Sequence, residues 1–211
     1  MTQIDTKTRI LDCAEQMFAR EGFHNTSLRK LTALAEVNLA SVNYHFGSKE
    51  ALLQAVIERR LLPLNTIRKN KIEQVLQQAR QSKMGPTASE VLQAFIVPTL
   101  EFRHSSQGAK DFISLIGRSL SEPDETVRNC FMTLAMPNFQ LFFAALHQAL
   151  PKLPEEILLA RVQFIMGTLS HVMCMSSSSL LNRPGLPTAL EHNELVEQLL
   201  IFVQAGMEAP L

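Results

Sequence analysis

The segment Tyr44-His45-Phe46-Gly47-Ser48-Lys49 sets a phenol, an imidazole, a hydroxyl and an ammonium close together, and Tyr44 is the single tyrosine of the chain. Side chains of these types suit contacts to phosphate oxygens better than they suit catalysis. Upstream, Thr26, Ser27 and Arg29 add two hydroxyls and a guanidinium. The Arg29 fork matches O6 and N7 of guanine, and it also fits a phosphate or an intrahelical partner. Leu39, Ala40, Ser41 and Asn43 are small or apolar side chains that can approach thymine methyl groups or simply leave clearance, and Asn43 can read adenine with paired hydrogen bonds. Tyr44 and His45, taken singly, also admit a structural role.

Arrangements that perform covalent chemistry are missing from the sequence: no G-x-S-x-G, no H-E-x-x-H, no phosphate loop and no Rossmann glycine pattern. Cys13, Cys130 and Cys174 are odd in number and lack C-x-x-C spacing, which argues against a disulfide framework and a zinc site and leaves them as expected buried apolar residues. No catalytic residue, metal or cofactor is expected, and the chain does not read as an enzyme.

These residues must be positioned by helices. Ile10, Ala14, Met17 and Phe18 form one apolar stripe of a helix that ends at Gly22. Thr26 or Ser27 is placed to cap a second helix that buries Leu28, Leu31, Leu34 and Ala35. After Glu36-Val37-Asn38 a third short helix runs from about Leu39 to Tyr44, with Val42 and Phe46 in the core. Gly47-Ser48 ends it and caps a long fourth helix beginning at Lys49. Two helices joined by so short a turn match helix-turn-helix geometry, in which the later helix enters the major groove.

The 211 residues, 46% hydrophobic and 19% charged, are ample for a sizeable core. Net charge is zero, but residues 1–71 hold 11 Lys and Arg against 7 Asp and Glu, a surplus of +4 that the rest of the chain cancels. No uninterrupted apolar run of about 18 residues and no signal-peptide core occurs, so a cytoplasmic protein without a membrane partner is expected. All ten prolines lie at or after Pro63, and nine of the twelve phenylalanines at or after Phe95. The division expected is a helix-turn-helix DNA-binding domain over 1–50 and a larger helical domain over 51–211, all-α, with about nine helices.

Gly22-Phe23, Thr26-Ser27-Leu28-Arg29, Ala35-Glu36-Val37 and Val42-Asn43-Tyr44-His45-Phe46-Gly47-Ser48-Lys49 together resemble the DNA-binding half of the TetR family of bacterial repressors, over about residues 5–60. The resemblance implies a homodimer whose first domain binds double-stranded operator DNA and whose second binds a small-molecule inducer. It also implies that Tyr44, His45 and Lys49, with Thr26 or Ser27, clamp phosphates while Arg29 lies near bases. Val37-Asn38-Leu39-Ala40 and Pro151-Lys152-Leu153-Pro154 extend the resemblance to the fatty-acid-responsive PsrA-type repressors, which implies a fatty acid or acyl-CoA as effector.

Five further helices are marked off by Gly85-Pro86, the Ser105–Gly108 stretch, Glu122-Pro123, Pro151–Pro154 and Arg183-Pro184-Gly185, and Ser176–Ser179 reads as a helix end. On the seventh helix Met132, Met136, Phe139, Phe143, Leu146 and Leu150 form a stripe, with Phe131, Ala135, Phe142 and Ala145 beside it, so burial on several sides is expected. Such residues are ordinary core or the lining of a pocket for a flexible alkyl chain. Phe102, Met132, Met136, Phe139, Phe143 and Met166 are the candidate lining, and Arg118 and His171 are candidate head-group contacts beside Arg103, His104 and Arg161. Pro98 and Pro137 interrupt helical patterns, and each removes one backbone donor. The last two helices carry more apolar surface than one core face requires, so Val162, Ile165, Leu169, Leu195, Leu199 and Phe202 are assigned to a two-fold interface. The expectation is a ligand-controlled repressor released by a small apolar effector. A drug-responsive repressor of efflux genes and a constitutive helical DNA-binding dimer are the alternatives.

Overall fold

A computed structural model describes residues 5–121, 125–174 and 190–211, the side chains at 114, 118–121 and 174 excepted. Nine helices follow one another among the described residues: α1 (Thr6–Glu21), α2 (Leu28–Leu34), α3 (Leu39–Phe46), α4 (Lys49–Ser82), α5 (Ala88–His104), α6 (Gln107–Ser121), α7 (Glu125–Ala149), α8 (Glu155–Cys174) and α9 (His192–Glu208). Local chemistry accounts for several of their ends. Gly22 closes α1 with φ 83° and donates its N–H to the Phe18 carbonyl. Thr87 and Glu90 form a capping box at α5: the Glu90 carboxylate accepts from the Thr87 N–H at 2.9 Å, and the Thr87 hydroxyl accepts from the Glu90 N–H at 3.2 Å. The Thr87 hydroxyl, which donates to the same carboxylate at 2.7 Å, and then the Thr87 N–H lower the Glu90 pKa from its ordinary value.

The helices gather into two compact units that interleave along the sequence. The first comprises the chain up to Pro63 and Arg103–Ala135, and the second Leu64–Phe102 and Met136–Leu211. A single cut at residue 50 therefore does not describe the packing. The reason is α1, which packs on α6 as well as on α2 and α3. Pro63, inside α4, lies where that helix passes from one unit to the other.

The first unit is organised around a buried carboxylate. Glu15 of α1 is 3% exposed and accepts from Arg59 Nη2 at 2.7 Å, Arg60 Nε at 2.6 Å and Arg60 Nη2 at 2.7 Å. Arg59 also pairs with Asp12 at 2.8 Å. The hydrogen bond to Glu15 raises the Arg60 pKa above its usual value. Gly108, in the first turn of α6, sits so close that an added Cβ would collide with Arg60 Nη2 and lie 2.9 Å from Glu15 Oε2. Ile10, Ala14, Phe18, Leu31, Val42, Leu52 and Ile57 supply the surrounding core.

In the second unit α5 buries Val91, Leu92, Phe95, Ile96 and Leu100, and Phe95 stacks on Phe142 of α7 at 4.3 Å. α8 packs on α9. Arg161 ties their ends by donating to the carbonyls of Met207 at 2.8 Å and Pro210 at 3.3 Å.

Several expectations need correction. Val162, Ile165, Leu169 and Leu199, assigned to a two-fold interface, are buried in the core of their own unit, and Leu195 is half-buried against it. Of that set only Phe202 is exposed, because the apolar stripe counted as surplus is the one the unit needs for itself. The surplus lies one step round each helix, at Phe164, Ile201 and Phe202. α7 is not buried on several sides: Phe142, Ala145 and Leu146 are buried, whereas Met132 and Met136 are exposed. It is nonetheless the one described helix long and apolar enough to cross a membrane by length and composition. Its buried Phe142, Ala145 and Leu146 belong to the core of the second unit. Leu34 is exposed and Phe46 only half-buried, and Cys13 and Cys130 are half-buried as well. The breaks expected at Glu122-Pro123 and Arg183-Pro184-Gly185, the Ser176–Ser179 helix end and the Cys174 side chain lie outside the described residues.

Gly108→Ala should displace Arg60 from Glu15 and lower stability by about 1–3 kcal/mol, the scale of hydrogen bonds to charged groups. In urea unfolding the same substitution should cost clearly less in a Glu15→Ala background. Equal costs in both backgrounds would detach Gly108 from the ion cluster.

Candidate functional site

The turn between α2 and α3 is closed by backbone bonds that need no side chain. Val37 N–H reaches the Thr32 carbonyl at 3.0 Å and Glu36 N–H the Ala33 carbonyl at 3.3 Å, a Schellman motif with Glu36 in the left-handed region at φ 52°. Asn38 then caps α3, its Oδ1 accepting from the Ser41 N–H at 2.8 Å and the Ser41 hydroxyl at 2.9 Å. Gly47, at φ 81°, ends the helix with its N–H on the Asn43 carbonyl. The Ser48 hydroxyl accepts from the Ala51 N–H at 3.0 Å and starts α4. Only Val42 of α3 is fully buried, with Ser41, His45 and Phe46 half-buried and the rest of the helix exposed.

The outward positions are the ones the sequence singles out. Leu39, Ala40 and Asn43 are exposed, Ser41 and His45 half-buried, and Tyr44 is 86% exposed with its ring edge-on to His45 at 5.1 Å. Arg29 and Ser27 are exposed on α2 and just before it. Lys49 is held in place: its Nζ lies 4.6 Å from the centre of the buried Phe23 ring and donates to the His24 carbonyl at 3.4 Å. Thr26 departs from its expected place at a phosphate, because it is buried and its hydroxyl donates to the Gly22 carbonyl at 2.8 Å, where it fastens the α1–α2 turn. Ser27 occupies the N-cap position of α2 but makes no side-chain cap bond. Asn38 was legible in the sequence as an Asn preceding an apolar helix, yet it received no role there.

α3 is thus held by one fully buried valine and two well-made caps, with the amide of Asn43 and the phenol of Tyr44 exposed. Residues 10–56 match the model of bacterial regulatory proteins of the tetR family, and residues 93–206 match the tetracyclin repressor-like C-terminal domain. The chain belongs to the TetR family of bacterial regulatory proteins. Members of this family regulate transcription and are not enzymes.

Among the curated relatives of this TetR-family chain, the HTH-type transcriptional regulator UidR of Escherichia coli K12 is 40% identical over 52 residues. That match spans 25% of this chain and 26% of UidR, about a quarter of each. Similar solved structures extend over the whole chain at low identity. The fatty acid degradation regulator FadR from Bacillus halodurans superposes with a TM-score of 0.67 at 15% identity, covering 99% of both chains. The TetR family transcriptional regulator PfmR from Thermus thermophilus superposes with a TM-score of 0.64 at 16% identity, covering 100% of this chain and 98% of its own.

The residues expected at an effector are not gathered into one place. Phe139, Phe143 and Met166 are half-buried and pack against the second unit's core. Phe102 is half-buried, Met132, Met136 and His171 are exposed, and the Arg118 side chain lies outside the described ones. Arg68, which sequence reasoning passed over, is buried in that unit. Leu64, Arg68, Ile72 and Leu76 are all buried and recur at intervals of four along α4, so Arg68 occupies a core position of the helix. Its Nε and Nη2 donate to Thr99 Oγ1 at 3.0 and 2.5 Å, and its Nη1 to Asn65 Oδ1 at 3.2 Å. Its guanidinium carbon lies 4.4 Å from the centre of the Phe95 ring. Burial pushes its pKa down to about 9, which leaves it charged at neutral pH.

Asn38→Ala should remove both bonds that start α3 and cost about 1 kcal/mol, within the range of lost N-caps. Asn38→Asp should restore most of it. Thermal unfolding followed by circular dichroism checks the pair, and an unchanged Asn38→Ala midpoint would deny the cap its part in holding α3.

Proposed function

We propose that this chain is a ligand-controlled transcriptional repressor of the cytoplasm that binds double-stranded operator DNA as a homodimer and is released by a small apolar effector, a fatty acid or acyl-CoA. The observation that carries the first half is the exposure of Arg29, Leu39, Ala40, Asn43 and Tyr44 on and beside a helix whose single fully buried residue is Val42. Small side chains at the start of α3 can reach base edges, whereas Tyr44, His45, Ser27 and Lys49 suit phosphates on either side. The charge surplus of residues 1–71 favours such a partner.

Phe164 of α8 and Ile201 and Phe202 of α9, 71%, 55% and 67% exposed, are the apolar residues assigned to a second copy. A two-fold axis there joins the two helices of each copy into a four-helix interface. The effector half rests on the apolar second unit, with Phe139, Phe143 and Met166 half-buried around its core. The likeness in fold to a regulator named for fatty acid degradation points the same way. Binding in that unit favours a conformation in which the two α3 helices no longer match major grooves about one helical turn, roughly 34 Å, apart. A repressor of this kind loses its operator in gel-shift assays as acyl chains are added. An operator complex indifferent to them, but released by a planar aromatic cation, would point instead to a drug-responsive repressor of efflux genes.

Lys49→Ala and Tyr44→Phe should weaken binding to every DNA sequence, and Lys49→Ala should also lower the log–log salt slope by roughly 0.9. Arg29→Ala should instead relax discrimination at one base pair of each half-site by about 1–3 kcal/mol. Fluorescence anisotropy against operator variants at several salt concentrations separates the two classes; an equal loss on all sequences would move Arg29 to the phosphates. Phe164→Glu with Phe202→Glu should yield folded monomers in sedimentation velocity at micromolar concentration, with operator affinity lost. A doubly substituted protein that stays dimeric would place the interface elsewhere.

A further inference from the structure

Arg68 is 7% exposed, and all of its partners are neutral. Among the described residues no carboxylate lies within ion-pair distance of it, in contrast to the arginines of the first unit, which converge on Glu15. A guanidinium has five N–H donors, two on each terminal nitrogen and one on Nε. Nε and one N–H of Nη2 are engaged by Thr99, and one N–H of Nη1 by Asn65. One donor therefore remains on each terminal nitrogen, and such a pair meets the two oxygens of a carboxylate in parallel hydrogen bonds. The Thr99 hydroxyl is itself fixed by donating to the Phe95 carbonyl at 2.8 Å, so the fork is held in one orientation.

A second polar group stands unused on the neighbouring helix. Asn138 lies one turn before Phe142 on the same face of α7, the face whose Phe142 ring stacks on Phe95, and its Oδ1 is buried without a hydrogen-bond partner. A half-turn of that amide offers an N–H donor in place of the oxygen. Burying a charge is costly unless it is paired, so a cation in a core register position with no counter-ion among the described residues suits an incoming anion.

We propose that Arg68 is the anion-binding group of the effector site, where it takes the carboxylate of an amphiphilic organic acid whose apolar body packs into the second unit's core. This rests on the reading of the chain as an effector-controlled regulator and narrows it to the free acid. The thioester of an acyl-CoA carries no charge at the acyl end, and its phosphates lie beyond a long polar arm that one buried guanidinium does not accommodate.

Isothermal titration of the full-length protein at pH 7.5 with decanoate, 1-decanol, decanoyl-CoA and phenylacetate tests it, in the wild type and in Arg68→Met. Decanoate should bind the wild type at least roughly tenfold more tightly than 1-decanol, the difference of one charge-assisted paired contact. Arg68→Met should erase that preference, leave 1-decanol affinity within about twofold, and raise the unfolding temperature of the ligand-free protein, since an unpaired buried charge is replaced by an apolar side chain. Arg68→Lys, which keeps the charge without the paired donors, supplies the same comparison should Arg68→Met not fold. Equal binding of acid and alcohol by the wild type, an acid preference that survives both substitutions, or tighter binding of decanoyl-CoA than of decanoate would overturn the assignment. If neither decyl compound binds but phenylacetate does so only with Arg68 present, the fatty-acid reading fails and Arg68 stands. If no anion binds, Arg68 is not an anion site.

Discussion

A carboxylate removed from water must find its counter-charges inside the protein, and Glu15 imposes that requirement on the whole first unit. At 3% exposure it is held by two arginines from successive positions of α4. Those arginines can converge only if α4 passes α1 at a fixed depth and rotation. The start of α6 must then come in over the cluster, and it does so at Gly108, where a side chain would strike Arg60. Three helices far apart in sequence are thereby fixed against one another by a single ionised group. Because breaking such a pair strands a buried charge, the arrangement specifies geometry more than it adds stability.

The surface that meets DNA in the proposed reading depends on that frame, though its own shape is local. α3 is a short helix, below the length at which isolated helices persist in water. It survives through Val42 beneath it, the Asn38 cap at its start and Gly47 at its end. With one fully buried residue for anchorage, half of the helix's residues stay exposed. Local closure also explains Glu36 in the left-handed region: the turn is closed by backbone bonds, and the helix ends there regardless of the strained residue.

The two units treat buried charge in opposite ways. In the first, carboxylate and guanidinium groups satisfy one another. In the second, Arg68 rests on a hydroxyl, an amide and the face of an aromatic ring, contacts that orient a cation without neutralising it. A group arranged in this manner stabilises a fold poorly and, in the proposed reading, an incoming anion well.

Much of this was legible in the sequence wherever the physics is local. Helix ends followed from Gly22, Gly47 and Ser48, because capping and left-handed turns depend on neighbours within one turn of chain. The exposed, polar character of α3 followed from residue types alone, and the motif spacing from Gly22 to Lys49 carried the family. What the tertiary structure decided is which apolar face meets which. Val162, Ile165, Leu169 and Leu199 are periodic and apolar whether they face their own core or a second copy, and periodicity cannot choose between these. Met132 and Met136 read as buried by composition, yet more than a third of each stays exposed. Thr26 has the same hydroxyl in a cap, on a phosphate or on the Gly22 carbonyl, and only the folded turn assigns it to the last. Arg68 was visible as a charge at a core register, but a basic residue in a helix is ordinarily solvated, and its burial follows only when α5 lays Thr99 and Phe95 against it.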